Sequence, residues 1–536
     1  MTAALAAVTA GALAWLAAGL PARTFFSGDS GVKLIAALET IDHPTRPFQI
    51  DLPRVGSRQA LFFEPMVVVH GSHAHPLQSP LFPPLSAPFI AAFGLRGAYV
   101  LPALSFVALF VLLEAIRQRV APQTSRLLLA WMAIAANPLL LYALEFWEHA
   151  PAVALLAAGT VAVVAATARG GPSWLTVAGG TLVGAGVVLR PEGTWYAAGL
   201  LVTFARPHWL TFAAGAAAVV LPFAAANAVH FGNPLGEHGA FVLAPLSQGF
   251  AAARWARVQE WLWPGSAFEW AGLLFVATAW LSTPVVKDLR ARQLMALAGA
   301  GLVAVLATQR ALPDLSFWQG FPLALLALVP TTSAAGRARQ LGALAIVTIA
   351  GVMLTATNDG GAQWGVRYLL IAAPPLLLLA ARAATDAASV GRWRSARIAV
   401  LVVVCLAGAM TSRTAYLELR SAKRNYEGVV SALASFTPPG GVILTNVWWL
   451  DQVAAALHRT RAFMFVPDAA AATRAFAFVR AEGIDRVTLA STTDGRAPFL
   501  LEPTLDDTCF RIAAVHDLPL RRLRFTSARC LANESR

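Results

Sequence analysis

Asp29 and Lys33 stand four residues apart in the stretch FFSGDSGVKLIAALET, which runs from Phe25 to Thr40 and follows an apolar N-terminal segment. On a helix that spacing puts acid and base on one face. A carboxylate at the water–lipid boundary, tuned by partial burial and a nearby ammonium, could act as a general base toward a hydroxyl. The alternative is that Asp29 caps a helix beginning near Gly31. The two roles are compatible.

Further along, EFWEHAP supplies Glu145, Glu148 and His149. Glu145 and Glu148 would share a face if a helix continues through them, giving a second acid or an acceptor-binding group. Helix-end capping and water exposure are the alternative. Three arginines lie in poorly charged loops: Arg190 in LRPEG beside Glu192, Arg310 in TQRALPDLSFWQG, and Arg367 in GGAQWGVRY between Trp364 and Tyr368. Each could anchor the chain at an interface or bind a phosphate. Arg367, directly behind a Gly-rich loop holding Gln363, is the first choice for phosphate. The segment from Glu64 to His75 adds Glu64, His70, His73 and His75. If that loop folds back on itself, Glu64, His73 and His75 could hold a divalent metal. The spacing matches no usual zinc pattern, and solvated loop histidines are the alternative.

The elements that must position these residues are apolar. Of the 536 residues, 57% are hydrophobic and 13% charged, and the mean hydropathy is +0.61. This is the composition of a polytopic α-helical membrane protein. The net charge of +13 does not imply nucleic acid, because the arginines collect in short loops between apolar runs. Spans are expected near 3–21, 97–116, 126–144, 150–168, 173–189, 194–205, 208–229, 269–286, 293–309, 315–331, 340–357, 368–382 and 396–411, roughly thirteen in all. Arg117, Arg119, Arg126, Arg169, Arg206, Lys287, Arg290, Arg292, Arg337, Arg339, Arg382, Arg392, Arg394 and Arg397 mark the cytoplasmic loops. The motifs above then all face outward. Abundant alanine, with arginine favoured over lysine, points to a GC-rich bacterial genome, and the expected location is the bacterial inner (plasma) membrane.

The expected organisation is a transmembrane domain over 1–411 and an extracytoplasmic α/β domain over 412–536. Two long outer loops, 22–96 and 230–268, interrupt the first. In the tail GVILTNVWWL, AFMFV and DRVTLAS read as strands, and DQVAAALHRT and AAAATRAFAFVRAEG as helices. Such alternation implies some parallel pairing. Cys509 and Cys530 fall in this tail and could pair, or remain two buried thiols.

The order of SGDSGVK, HPLQSPLFPPL, EFWEH, RPEG and GGAQWGVRYLL resembles the GT-C glycosyltransferases, in particular the protein O-mannosyltransferases and bacterial aminoarabinose transferases. The resemblance implies an inverting transfer of sugar from a polyprenyl-phosphate donor to an extracytoplasmic hydroxyl. Asp29 would match the first-loop aspartate that activates the acceptor. Glu148 and His149 would assist, with Lys33, Arg190, Glu192, Gln363, Trp364, Arg367 and Tyr368 around the donor. No cofactor is required, and a divalent metal stays open. Partners would be the lipid-linked sugar, a glycan, lipid or protein acceptor, and membrane lipids, with no nucleic acid. A lipid or sugar transporter is the alternative, disfavoured by apolar spans with almost no acids. A non-catalytic membrane scaffold is another.

Overall fold

The computed structural model describes residues 2–26, 28–51, 54–55, 58–59, 67–70, 73–77, 80–167, 173–236, 250–262, 266–309, 316–331, 336–356, 366–493, 501, 505 and 508–530. The chain divides into two compact units, one of residues 1–17 with 101–418 and the other of residues 18–100 with 419–536.

Among the described residues seven helical segments are long and apolar enough to cross a membrane: Phe82–Val120, His149–Ala166, Arg206–Phe231, Leu289–Ala307, Gly336–Thr355, Arg367–Ala387 and Arg394–Phe436. Thr2–Ala18, Arg126–Ala135, Trp174–Leu189 and Ala267–Leu281 are shorter apolar helices. The protein is thus multi-pass and helical, but the expected thirteen regular spans are not seen as such. Local causes are identifiable. The segment read as one span over 126–144 stops at Ala135 and resumes at Leu139–Ala143. Pro138 has no N–H to give and disfavours helical backbone before it, and the Asn137 side chain accepts from the Leu139 amide at 3.1 Å. The 315–331 segment breaks likewise into Phe317–Gly320 and a 3₁₀ stretch, Pro322–Leu328, after Phe321 leaves the helical region ahead of Pro322. The helix expected to end near 411 runs unbroken over Arg394–Phe436.

In the first unit the apolar stretch of Arg367–Ala387 is 83% buried, against 17% for Arg206–Phe231. The former is therefore a central helix and the latter presents its sides outward. Close helix contacts use glycine, as expected where lipid competes equally for apolar side chains. A Cβ on Gly299 would lie 2.2 Å from the Gly272 carbonyl, and one on Gly215 2.1 Å from the Val177 carbonyl.

In the second unit, the helix Gly28–Asp42 is followed by two small hairpins and the helix Phe82–Phe93. β1 (Arg54–Val55) pairs with β2 (Arg58–Gln59), and β3 (Val67–His70) with β4 (His73–Pro76), both antiparallel. The tail forms a five-stranded sheet of β5 (Val442–Thr445), β6 (Ala462–Phe465), β7 (Arg486–Thr492), β8 (Phe510–Leu518) and β9 (Leu523–Cys530), ordered β6-β5-β7-β9-β8. β5 is parallel to β6 and β7, while β9 is antiparallel to β7 and β8. Alternation along β5 sorts the two cores. Val442 and Leu444 join Phe476 and Val479 of the helix Ala469–Ala481, whereas Ile443 joins Val429, Val430 and Leu433. Cys509 and Cys530 form a disulfide that ties the start of β8 to the end of β9.

Candidate functional site

In the second unit the helix Gly28–Asp42 begins three residues earlier than expected, so Asp29 lies within its first turn and is not the cap of a helix starting at Gly31. A carboxylate there is favoured by the partial positive charge of the first-turn amides. Lys33, one turn on, is 1% exposed. The glycines flanking Asp29 have a steric reason. A Cβ on Gly28 would come within 1.7 Å of the Gln452 Oε1, and one on Gly31 within 1.7 Å of the Gln452 carbonyl oxygen. The first turn of this helix thus lies directly on the short helix Leu450–Val453.

That floor is polar and closed to solvent. Ser30, Asp451 and Gln452 are buried. Asp451 Oδ1 accepts from the Gln452 amide at 2.8 Å, and Gln452 Nε2 donates to the Trp448 carbonyl at 3.1 Å. Burial pushes the Asp451 carboxyl well above its usual range. The approach to Asp29 is also pinned. Thr24 donates its hydroxyl to the Lys423 carbonyl at 2.8 Å. The fully buried Lys423 donates to the Tyr99 hydroxyl at 2.6 Å and lies 4.3 Å above that ring. No motif in the sequence marks these partners. The only signal was an acid and an amide, WWLDQV, inside an otherwise apolar run.

The same helix carries Glu39 near its other end, with His43 one residue beyond it, and their ligand atoms and that of Asp51 all lie within 4.8 Å of one another. Burial, then repulsion from Asp51, raises the Glu39 carboxyl. His43 Nε2 is 3.5 Å from Asp51, and Arg46 bonds Asp51 at 3.4 Å. This cluster could ligate a divalent cation. It begins ten residues beyond Asp29, about 15 Å along the helix at ~1.5 Å per residue. Of the metal ligands expected from sequence, Glu64 and the His73 side chain lie outside the described residues. His75 is buried on β4, its Nδ1 2.9 Å from the Phe48 carbonyl.

In the first unit the structure gathers the other candidates. Glu145 and Glu148 do not share a helix face: the helix Leu139–Ala143 ends before them and the next begins at His149, leaving 144–148 as a turn. All of Glu145, Glu148 and His149 are buried nonetheless. Arg190, just past the helix Trp174–Leu189, donates to Glu148 at 3.0 Å and to Glu192 at 2.5 Å. Its guanidinium lies 5.4 Å from the centre of the Tyr368 ring, and that of Arg367 lies 5.5 Å from the same ring. Trp261 packs on Tyr368 at 5.6 Å. His149 packs against Tyr142 at 4.8 Å and Trp147 at 5.7 Å. Two guanidiniums and two carboxylates therefore meet beside an aromatic wall, with Arg190 bracketed by both acids. Gln363, Trp364 and Arg310 lie outside the described residues.

The whole chain is similar in fold to solved structures. ArnT from Cupriavidus metallidurans, in a crystal structure with undecaprenyl phosphate, is 14% identical and matches over 98% of this chain and 97% of its own with a TM-score of 0.53. Its apo structure matches over 97% of both chains at 14% identity and a TM-score of 0.54. The archaeal oligosaccharyltransferase AglB from Archaeoglobus fulgidus covers 92% of this chain and 69% of its own at 13% identity, with a TM-score of 0.46. No protein-family model and no curated protein sequence matches. The resemblance to the GT-C aminoarabinose transferases read from the sequence thus holds at the level of the fold.

Proposed function

We propose that this chain is an integral-membrane inverting glycosyltransferase that moves a sugar from a polyprenyl-phosphate donor to an acceptor hydroxyl on the extracytoplasmic side of a bacterial inner membrane. The observation that supports it most is the fold shared with ArnT along essentially the full length of both chains. A fold alone does not give an activity, so the reading leans also on where the side chains fall.

In this proposal Asp29 takes the proton of the acceptor hydroxyl as its oxygen bonds to the anomeric carbon. The bond from that carbon to the phosphate oxygen breaks, and its electron pair leaves with the lipid phosphate. The sugar is inverted and Asp29 ends as a carboxylic acid. The leaving phosphate needs a cation. Arg367, whose guanidinium lies 5.5 Å from the centre of the Tyr368 ring, is proposed for that role, with Lys33 or Arg190 as further candidate cations. Glu148 holds Arg190 in place, His149 packs against Tyr142 and edge-on to Trp147, and Gln363 and Trp364 belong to the donor loop. The reaction is written without a metal. An ion at Glu39, His43 and Asp51 would brace the far end of the Asp29 helix.

The test is purified protein in lipid, given radiolabelled polyprenyl-phosphate sugars one at a time. Sugar transfer or release from one donor is the expected result. Silence across a broad donor set would move the assignment toward transport or scaffolding.

A further inference from the structure

We infer that an arginine-lined cavity in the first unit binds the phosphate headgroup of an anionic membrane lipid. The cavity holds about 550 Å³ and is lined by Arg206, Arg337, Arg339, Gln340, Val202 and Phe204, among others. Its described lining contains three guanidiniums and no carboxylate. The arginines come from two distant segments, the 3₁₀ turn Arg206–His208 and the start of the helix Gly336–Thr355. Loop arginines that only fix topology need to be counted on one side of the membrane, and need not converge on one space. Here the convergence is built. Gln340 donates to the Thr203 carbonyl at 2.8 Å, joining the helix Gly336–Thr355 to the end of the helix Gly193–Thr203. Arg337 donates to the Arg119 carbonyl at 2.8 Å.

Guanidinium groups suit phosphate because they offer planar paired donors. The wall decides for a lipid over a free ion. Val202 lines the cavity yet is 59% exposed, and Trp209 and Leu210, at the head of the adjoining helix, are 53% and 63% exposed. A tryptophan and aliphatic side chains left open beside arginines mark the level where headgroups meet acyl chains. Basic pockets between membrane helices at that level take anionic headgroups. This inference does not depend on the proposed transfer, since none of these residues is assigned to it.

Native mass spectrometry and thermal unfolding of the full chain, without sugar donor, test it against phosphatidylglycerol, phosphatidylcholine and inorganic phosphate. The wild type should retain phosphatidylglycerol, and be stabilised by it, in preference to phosphatidylcholine. Replacing Arg206, Arg337 and Arg339 together by Gln should weaken retention roughly a hundredfold. Arg→Lys at the three positions should restore part of it. Should the triple Gln variant fail to fold, Arg206→Gln and Arg339→Gln singly should each weaken retention. Equal retention by wild type and the Gln variants, or no preference between the two lipids, would overturn the site. Stabilisation by inorganic phosphate alone, equal to that by phosphatidylglycerol, would overturn its assignment to a lipid.

Discussion

Gly31 and Gln452 lie so close that a Cβ at residue 31 would meet the Gln452 carbonyl oxygen at 1.7 Å. The atom met is backbone, so no rotamer change relieves the clash. Gly31→Ala should therefore displace the first turn of the Asp29 helix, with a cost of about 1–3 kcal/mol or more. The expected readout is a lowered Tm together with reduced transfer. Gly342→Ala, where nothing lies within 4 Å, should leave both unchanged or raise Tm slightly. Equal behaviour of the two variants would remove the steric account of the SGDSG stretch.

That contact also shows what the sequence could and could not convey. That Asp29 and Lys33 lie one turn apart on one helix was legible, because four residues make about one helical turn. The floor beneath them was not, because Gln452 is more than four hundred residues away and its role depends on tertiary contact. Glu145 and Glu148 looked like one helix face because spacing says nothing of the turn that separates them. The strands β5, β6 and β7 were legible as short apolar runs. β8 escaped, since all but its ends are exposed, so neither of its faces carries the apolar alternation that marks a half-buried strand. The breaks within 126–144 and 315–331 trace to Pro138 and Pro322, whose effects on the preceding residue outweigh the hydropathy of their surroundings.

Arg367 and Arg190 should separate by experiment although both lie over Tyr368. Arg367→Ala is expected to lower affinity for a polyprenyl-phosphate sugar, measured by binding, with little change in Tm. Arg190→Ala removes the guanidinium from the buried Glu148 and from the partly buried Glu192, so its main effect should be destabilisation, about 3–5 kcal/mol for the broken buried pair with Glu148. Unaltered donor affinity in Arg367→Ala would shift the phosphate role to Arg190 or Arg310.

Asp451 sets a pH dependence in the second unit. Burial holds its native carboxyl protonated well above the ordinary 3.8, so the unfolded chain loses that proton first as pH rises. Its contribution to stability is therefore present below about 4 and is lost as pH climbs toward the raised native value. His458 acts oppositely. Burial lowers it from 6.5 to about 4, so the unfolded chain gains a proton first and stability falls as pH drops across that interval. Asp451→Asn should gain stability over wild type as pH goes from about 4 to 8, read as slower hydrogen exchange at residues 442–465. A pH-independent difference would count against a protonated Asp451.

In the proposed transfer Asp29 is the base. Its most direct test is turnover of a polyprenyl-phosphate sugar by purified wild type and Asp29→Asn in lipid, with donor binding and Tm measured on the same samples. Loss of a general base costs about 10² to 10⁴ in rate. If Asp29 is the base, Asp29→Asn loses transfer to that extent while donor binding and Tm stay largely intact. Transfer by Asp29→Asn at the wild-type rate would contradict it.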